Sequence, residues 1–378
     1  MIIKNGLIHN AVEKEPFVAD ILIKDGKIAA IGKDLKPDGE VIDATGKEIY
    51  PGLVEAHCHI GIASRFGEPS GNSDCNEKSD ATTPQVRGID AVDPADEAFN
   101  IARRAGVTCV CTGPGSANAV GGTFVALKTY GIRVDKMVVK DNIAMKCAFG
   151  ENVKKFHGGK NVATRLANAS VIRDLLKKAE RYKEQVDAAE GDVSKLPSFD
   201  AKLDAMLPVM RGEMPLKAHA HQANDIFTAI RIAKEFGVKL TLEHVTDGSL
   251  IADELAEEKY YLAVGPSMMT ASKYELRNKT WETPGKLAKA GCHVCIITDS
   301  PVISQENLPH CAGFAVKARM DPFEALKAIT INAAEHIGIA DRVGSIEVGK
   351  DADILITNGN PMEISTVIEK VIIDGKIM

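Results

Sequence analysis

Two histidines separated by one residue, in Pro51-Gly52-Leu53-Val54-Glu55-Ala56-His57-Cys58-His59, are the first residues of the chain placed to do chemistry. A β-strand alternates faces with period two, so His57 and His59 point the same way out of an apolar run. Two imidazoles so placed can hold one divalent ion. The spacing recurs in Lys217-Ala218-His219-Ala220-His221, with alanines between the rings. His244 ends the apolar run Leu240-Thr241-Leu242-Glu243 ahead of Asp247-Gly248, and Asp299 stands where Cys295-Ile296-Ile297-Thr298 gives way to Ser300-Pro301. One acid at a strand end means little. Four strand ends in series carrying His, His, His and Asp read as one set of metal ligands.

These residues need a scaffold that gathers strand ends. Apolar strand candidates run over Leu53–His59, Val107–Thr112, Phe124–Thr129, Ile143–Phe149, Leu216–His221, Lys239–His244, Tyr260–Val264 and Cys292–Thr298. Helical periods fall between them, among them Ala95–Ala105, Val162–Ala188, Ile226–Phe236 and Pro322–Ala334. Eight strands alternating with helices predict an α/β fold, a parallel (β/α)₈ TIM barrel spanning 51–344. Residues 1–50 and 345–378 read instead as short strands with turns, and Asp25-Gly26-Lys27-Ile28 is echoed by Asp374-Gly375-Lys376-Ile377. The two chain ends are expected to pair into one small composite β-domain, a β-sandwich. Residues 63–94, rich in Gly, Ser, Asp and Asn, follow the first strand and form a candidate lid, since loops after barrel strands lie on the catalytic face. Within it Arg65, Glu68 and Asn76 give no readable code for a substrate.

The composition bounds the function. Among 378 residues, 46 basic and 52 acidic side chains leave a formal charge of −6, so no basic field exists for nucleic acid or an anionic membrane. No apolar run approaches the roughly 20 residues of a membrane-spanning helix, and Met1-Ile2-Ile3-Lys4-Asn5-Gly6 lacks a signal-peptide layout. Eight scattered cysteines, several inside apolar runs, fit a reducing cytoplasm. Cys292-x-x-Cys295 has no second pair and lies in a strand-like run, so it reads as structural. Gly113-Pro114-Gly115-Ser116-Ala117-Asn118-Ala119-Val120-Gly121-Gly122 could cradle a phosphate. It has Asn118 where a dinucleotide motif has its third glycine, and it lacks the P-loop Gly-Lys-Ser/Thr, so it reads as a pocket-lining turn. His9 and His336 are read as structural, and His293 as lying at the wrong end of its strand.

The series of ligands resembles the amidohydrolase superfamily over nearly the whole chain, and most of all its imidazolonepropionase-like and prolidase-like branch. Gly344-Ser-Ile-Glu-Val-Gly-Lys-Asp-Ala-Asp353 is similar to that family's C-terminal motif. The resemblance implies that His57, His59, His219, His244 and Asp299 ring one or two metals. It also calls for a Lys or Glu on the fourth strand. Glu151, nearer the strand's C-terminal end, is preferred; a carboxylated Lys146 is the alternative, with Lys128 behind both. His221 and His157 are then expected to touch substrate. Imidazole-rich ligation favours Zn²⁺, with Mn²⁺ or Fe²⁺ fitting the same set. The implied activity is hydrolysis of a C–N bond in an amide, cyclic amide or small peptide, with Asp299 as general acid/base. A deaminase of an amino-heterocycle uses a similar cage, and a non-catalytic scaffold would share the fold. The expected partner is a small-molecule substrate; a homo-oligomer is compatible, and the state is left open.

Overall fold

A computed structural model describes residues 1–63 and 74–378. Arg65, Glu68 and part of the candidate lid lie outside the described residues.

The two chain ends share one eight-stranded sheet. Glu48–Pro51 pairs antiparallel with Ile354–Thr357, and that strand pairs with Ile368–Ile373. Both Asp-Gly echoes are tight hairpin turns, with positive φ at Asp25 (51°), Gly26 (77°), Asp374 (48°) and Gly375 (73°). A two-residue hairpin of this hand needs φ > 0 at both positions. The turns also touch: a Cβ on Gly26 would sit 3.1 Å from the Asp374 carbonyl oxygen. Isoleucines such as Ile3, Ile21, Ile49, Ile354 and Ile372 form this sheet's own core.

The remaining strands form two sheets. One orders Val138–Lys140, Val125–Lys128, Val107–Thr112 and Leu53–Cys58. The other orders His293–Ile296, Tyr261–Val264, Leu240–His244, Leu216–Ala220, Met145–Ala148 and Val120–Thr123. From Met145–Ala148 through to His293–Ile296 every pairing is parallel, and Leu53–Cys58 runs parallel to Val107–Thr112. The two outer strands meet through side chains, because Glu55 accepts hydrogen bonds from the Thr298 N–H (3.0 Å) and hydroxyl (2.6 Å).

The third strand departs from the all-parallel expectation. Val125–Lys128 is antiparallel to Val107–Thr112, and Val120–Thr123 is antiparallel to Met145–Ala148. The reason lies in the connection. The 12 residues 113–124 that join Val107–Thr112 to Val125–Lys128 are spent on a turn and the strand Val120–Thr123, leaving no helix for the crossover that a parallel pair needs. Phe124, between the two segments, bonds Ala144 and Ile143 through its backbone and so links the sheets.

Helices cover these sheets as amphipathic layers. Ala223–Phe236 buries Ile226, Ala229, Ile230, Ile232 and Ala233, and ends on Gly237 at φ 65°. Arg165–Ala188 is capped by Thr164, buries Ile172, Leu175, Leu176 and Ala179, and leaves its charged run to solvent.

Candidate metal centre

The strand alternation that aligns His57 with His59 also aligns Lys217 with His219. Register then fixes their neighbours: His219 lies opposite Glu243, and Ala220 opposite His244. Simple alternation would therefore turn Glu243 inward with His219 and turn His244 away. The backbone departs from strand geometry at that residue. His244 adopts φ 76° and Val245 φ 44°, values that β-branched or bulky residues avoid. This left-handed step swings the His244 ring back, to a centroid separation of 4.2 Å from His219 and 5.1 Å from His57. Asp299 does the same at the end of its strand, with φ 53°. Strain held at these two ligand positions is of the kind that a site imposes on its scaffold.

Four imidazoles commit Nδ1 to the protein. His57 Nδ1 bonds the Glu243 carboxylate at 3.0 Å, and His59 Nδ1 the Gly113 carbonyl at 2.7 Å. His244 Nδ1 bonds the Gly265 carbonyl at 2.8 Å, and His221 Nδ1 the Thr246 hydroxyl at 2.8 Å. Gly265 is required there, since a Cβ would collide with the Ile297 carbonyl. The carboxylate and carbonyl partners, which only accept, fix the tautomers of His57, His59 and His244 with Nε2 free of a proton, and the Thr246 hydroxyl orients the His221 ring.

At these strand ends, His219 Nε2, His244 Nε2 and Asp299 Oδ1 are buried without a hydrogen-bond partner among the described residues. Asp299 Oδ1 lies 3.2 Å from His59 Nε2 and 3.7 Å from His57 Nε2. The ligand atoms of His57, His244 and Asp299 all fall within 4.8 Å of one another, as do those of His219, His221 and His244. Buried polar groups are nearly always bonded, and imidazole nitrogens with a carboxylate are the donor set of zinc and its neighbours. The residues fit a divalent metal.

Burial dominates the titration of these groups. It holds His57 and His219 well below the usual histidine range and brings His244 to about 4. They are neutral, as ligands must be. Burial alone would raise the Asp299 carboxyl, but His244, His59 and His57 outweigh it and hold Asp299 far below the carboxylate range.

The two candidates for the fourth strand end up in different places. Lys146 is fully buried, its Nζ 3.0 Å from His57 Nε2, and burial brings it down to about 8. Glu151 opens the Glu151–His157 helix, and its carboxylate accepts from the Glu275 N–H at 3.2 Å while its own N–H donates to the Glu275 carboxylate at 2.8 Å. It lines the cavity outside the imidazole cluster. Lys128 points to the other end of the strand, bonding Asp353 at 2.8 Å. His157 is buried at the end of its helix and is not among the described residues that line the cavity.

The cavity holds about 990 Å³. His59, His219, His221 and Asp299 form part of its floor. Ala63, Cys75 and Asn76 of the candidate lid, Gly115 and Ser116 of the glycine-rich turn, and Lys273 stand around them.

Sequence reasoning missed the charges beneath the ligands. Glu243 is fully buried and held by Lys217 (2.9 Å), His336 (2.7 Å) and the Thr241 hydroxyl (2.8 Å). His336, read as structural, thus supports His57 through Glu243. Glu55 is fully buried too; burial raises it to about 7, and bonds from Thr298 and Gln305 pull the other way. Glu55-x-His57 and Lys217-x-His219 carried the signal, since period two puts each charge on its histidine's face.

This arrangement matches known proteins. The amidohydrolase family model covers residues 49–378. The chain belongs to the amidohydrolase family. That family is one of hydrolytic enzymes, and with the structural neighbours it implies a TIM-barrel-type α/β fold. The amidohydrolase tasK of Hapsidospora irregularis is 26% identical over 95% of this chain, which spans 40% of that protein's length. The imidazolonepropionase of Thermoplasma volcanium is 26% identical over 89% of this chain and 83% of its own length. A crystal structure of an amidohydrolase from Thermotoga maritima superposes with a TM-score of 0.95 at 39% identity, covering 100% of this chain and 99% of that one.

Proposed function

We propose that the protein is a metal-dependent hydrolase of a C–N bond in a non-peptide amide, a cyclic amide or a small peptide. The observation that carries this is the set of three unpartnered ligand atoms, on His219, His244 and Asp299, buried together at the strand ends. In this reading 51–344 form a closed (β/α)₈ barrel with an antiparallel third strand, and 1–50 with 345–378 form a separate small β-domain.

His57, His59, His219, His244 and Asp299 would hold one or two ions, zinc by preference, with carboxylated Lys146 as the fourth-strand ligand in place of Glu151. Such an ion polarises a carbonyl and makes water acidic enough to attack near neutral pH. The chain's residues do the rest. Asp299, kept ionised by the surrounding imidazoles, takes the proton of the attacking water and returns it to the leaving nitrogen. His221, in the cavity wall with its Nδ1 pinned by Thr246, orients the substrate. The described residues contain no helix long and apolar enough to cross a membrane. We read the eight unbridged cysteines as those of a cytoplasmic protein with a small-molecule substrate.

Elemental mass spectrometry on wild type, Lys146→Ala and Glu151→Gln tests the centre. One or two ions per chain, reduced in Lys146→Ala and retained in Glu151→Gln, are expected. No stoichiometric metal after reconstitution with zinc, manganese or iron would sink the reading and favour a scaffold. Ammonia released from amino-heterocycles, with amides untouched, would move the assignment to a deaminase.

A further inference from the structure

Beside the metal cluster lies a second, much smaller space, walled by His244, Thr246, Pro266, Lys279 and Thr283 among others. Pro266 also lines the large cavity, so the two adjoin. Two donors in this crevice lack partners. Lys279 Nζ and the Thr283 hydroxyl are both shut off from solvent, and neither has a hydrogen-bond partner among the described residues. Thr283 is 2% exposed. An unpaired ammonium in such a place is costly, and proteins normally bury one only against a counter-charge. Burial, with Lys273 nearby, depresses Lys279 below the usual lysine range.

The segment is held in position. Asn278, next to Lys279, donates to Asp247 at 2.8 Å, and the other Asp247 oxygen accepts from the Ala223 N–H at 3.0 Å. The residue beside Lys279 is therefore tied to the turn that follows His244. Lys154, Lys155 and Lys273 also line the large cavity. Lys273 is taken up by Glu275 (2.6 Å) and Asn152 (2.9 Å); Lys279 has no such acid among the described residues. The crevice offers about 10 Å³ of free space, enough for roughly one small atom. It fits the tip of a charged group whose remainder lies in the large cavity.

We propose that Lys279, with Thr283, is the counter-ion for a carboxylate carried by the substrate close to its scissile C–N bond. The substrates are then N-acyl amino acids or peptides with a free carboxylate rather than neutral amides. This rests on the proposed hydrolase reading for the site, but its test does not depend on turnover.

Binding to the metal-loaded enzyme is measured by calorimetry for paired probes: N-acetyl-L-alanine, N-acetyl-L-proline and glycyl-L-proline, each beside its C-terminal amide. At least one acid is expected to bind about tenfold or more tightly than its amide. Lys279→Met should erase that preference while leaving amide binding and metal content unchanged, and Lys279→Arg should restore part of it. Without ligand, Lys279→Met should also melt at a higher temperature, because it removes an unpaired buried charge; a merely structural lysine would melt lower on removal. Equal binding of acids and amides, no binding of any acid, or a preference unchanged in Lys279→Met would each overturn the proposal. Acid binding that depends on Lys279 without hydrolysis of any probe would leave it standing and count against the hydrolase reading instead.

Discussion

The strands carry buried charge at both ends, and the two clusters are built on opposite terms. At one end Lys128 meets Asp353 at 2.8 Å, Asp374 at 3.0 Å and Asp351 at 3.1 Å. Asp351 is shared with Arg342 (2.6 Å) and Lys27 (3.1 Å). Three cations face three carboxylates, and they join the Val125–Lys128 strand to the sheet made by the chain ends. At the other end imidazoles crowd together, ligand atoms lack partners, and His244 and Asp299 sit in strained backbone. The first cluster pairs every one of its charges within the protein, with only one Asp353 oxygen left without a hydrogen bond among the described residues. The second is complete only with something bound. Buried polar residues therefore do not mark function by themselves; several unpartnered ligand atoms converging on one space do.

Asp299→Asn should sharpen this contrast most. It keeps the shape and removes the base, so activity should fall by about 10²–10⁴-fold, read as kcat on enzyme whose metal content is verified. The melting temperature should hardly fall. Activity undiminished with metal intact would refute the role given to Asp299. Lys128→Met at the opposite cluster should behave in reverse. It strands the buried Asp353 without its cation, while Asp351 keeps Arg342 and Lys27, and removing one partner of a buried pair costs about 3–5 kcal/mol. Denaturant unfolding should register that loss, with kcat of the folded enzyme unchanged.

The contrast was only partly legible in the sequence. The paired histidines and the strand-end His244 and Asp299 were readable because period-two alternation is local. The antiparallel third strand was not: the sequence pattern reads as one parallel strand over Phe124–Thr129, and the break at Phe124 into two antiparallel segments is seen only in the structure. Two other features needed the structure. Proximity to the strand end favoured Glu151, but Glu151 starts a helix and spends its carboxylate on the Glu275 N–H. Lys146 sits further back and reaches His57 with its longer side chain. Alternation also assigns Glu243 and His244 to opposite faces. Both serve the site because the positive φ at His244 breaks the alternation, and no residue type announces that step.

Glu243 lies between the two behaviours, since it is fully answered yet serves the site. It ties His57 Nδ1 to Lys217 and His336. Glu243→Gln should lower metal affinity by about 10–100-fold, the usual effect of losing a carboxylate behind a metal-bound histidine. Competition with a chelator reads this directly. Unchanged affinity with lower stability would place Glu243 with the structural cluster after all.

The smallest expected effect is the pH response of the satisfied cluster. Burial alone would raise the Asp351 carboxyl, but Arg342, Lys128 and Lys27 outweigh it and bring it from 3.8 to about 2. The folded state therefore binds this proton less readily than the unfolded chain does. The stabilisation is present above the unfolded value and drains away as pH falls from about 4 towards 2. Asp351→Asn should lower stability at neutral pH and flatten the acid limb across that window, in melting temperatures taken at stepped pH. The metal centre predicts the same direction for its histidines, in a higher pH window. Burial holds His57, His219 and His244 low, so acid charges them more readily in the unfolded chain, and bound metal should be released as they protonate. Measuring metal content along the same pH series separates the two ends of the strands. Metal loss should leave the Asp351→Asn difference in place, whereas a difference that vanishes with the metal would show that the two clusters are coupled through the strands between them.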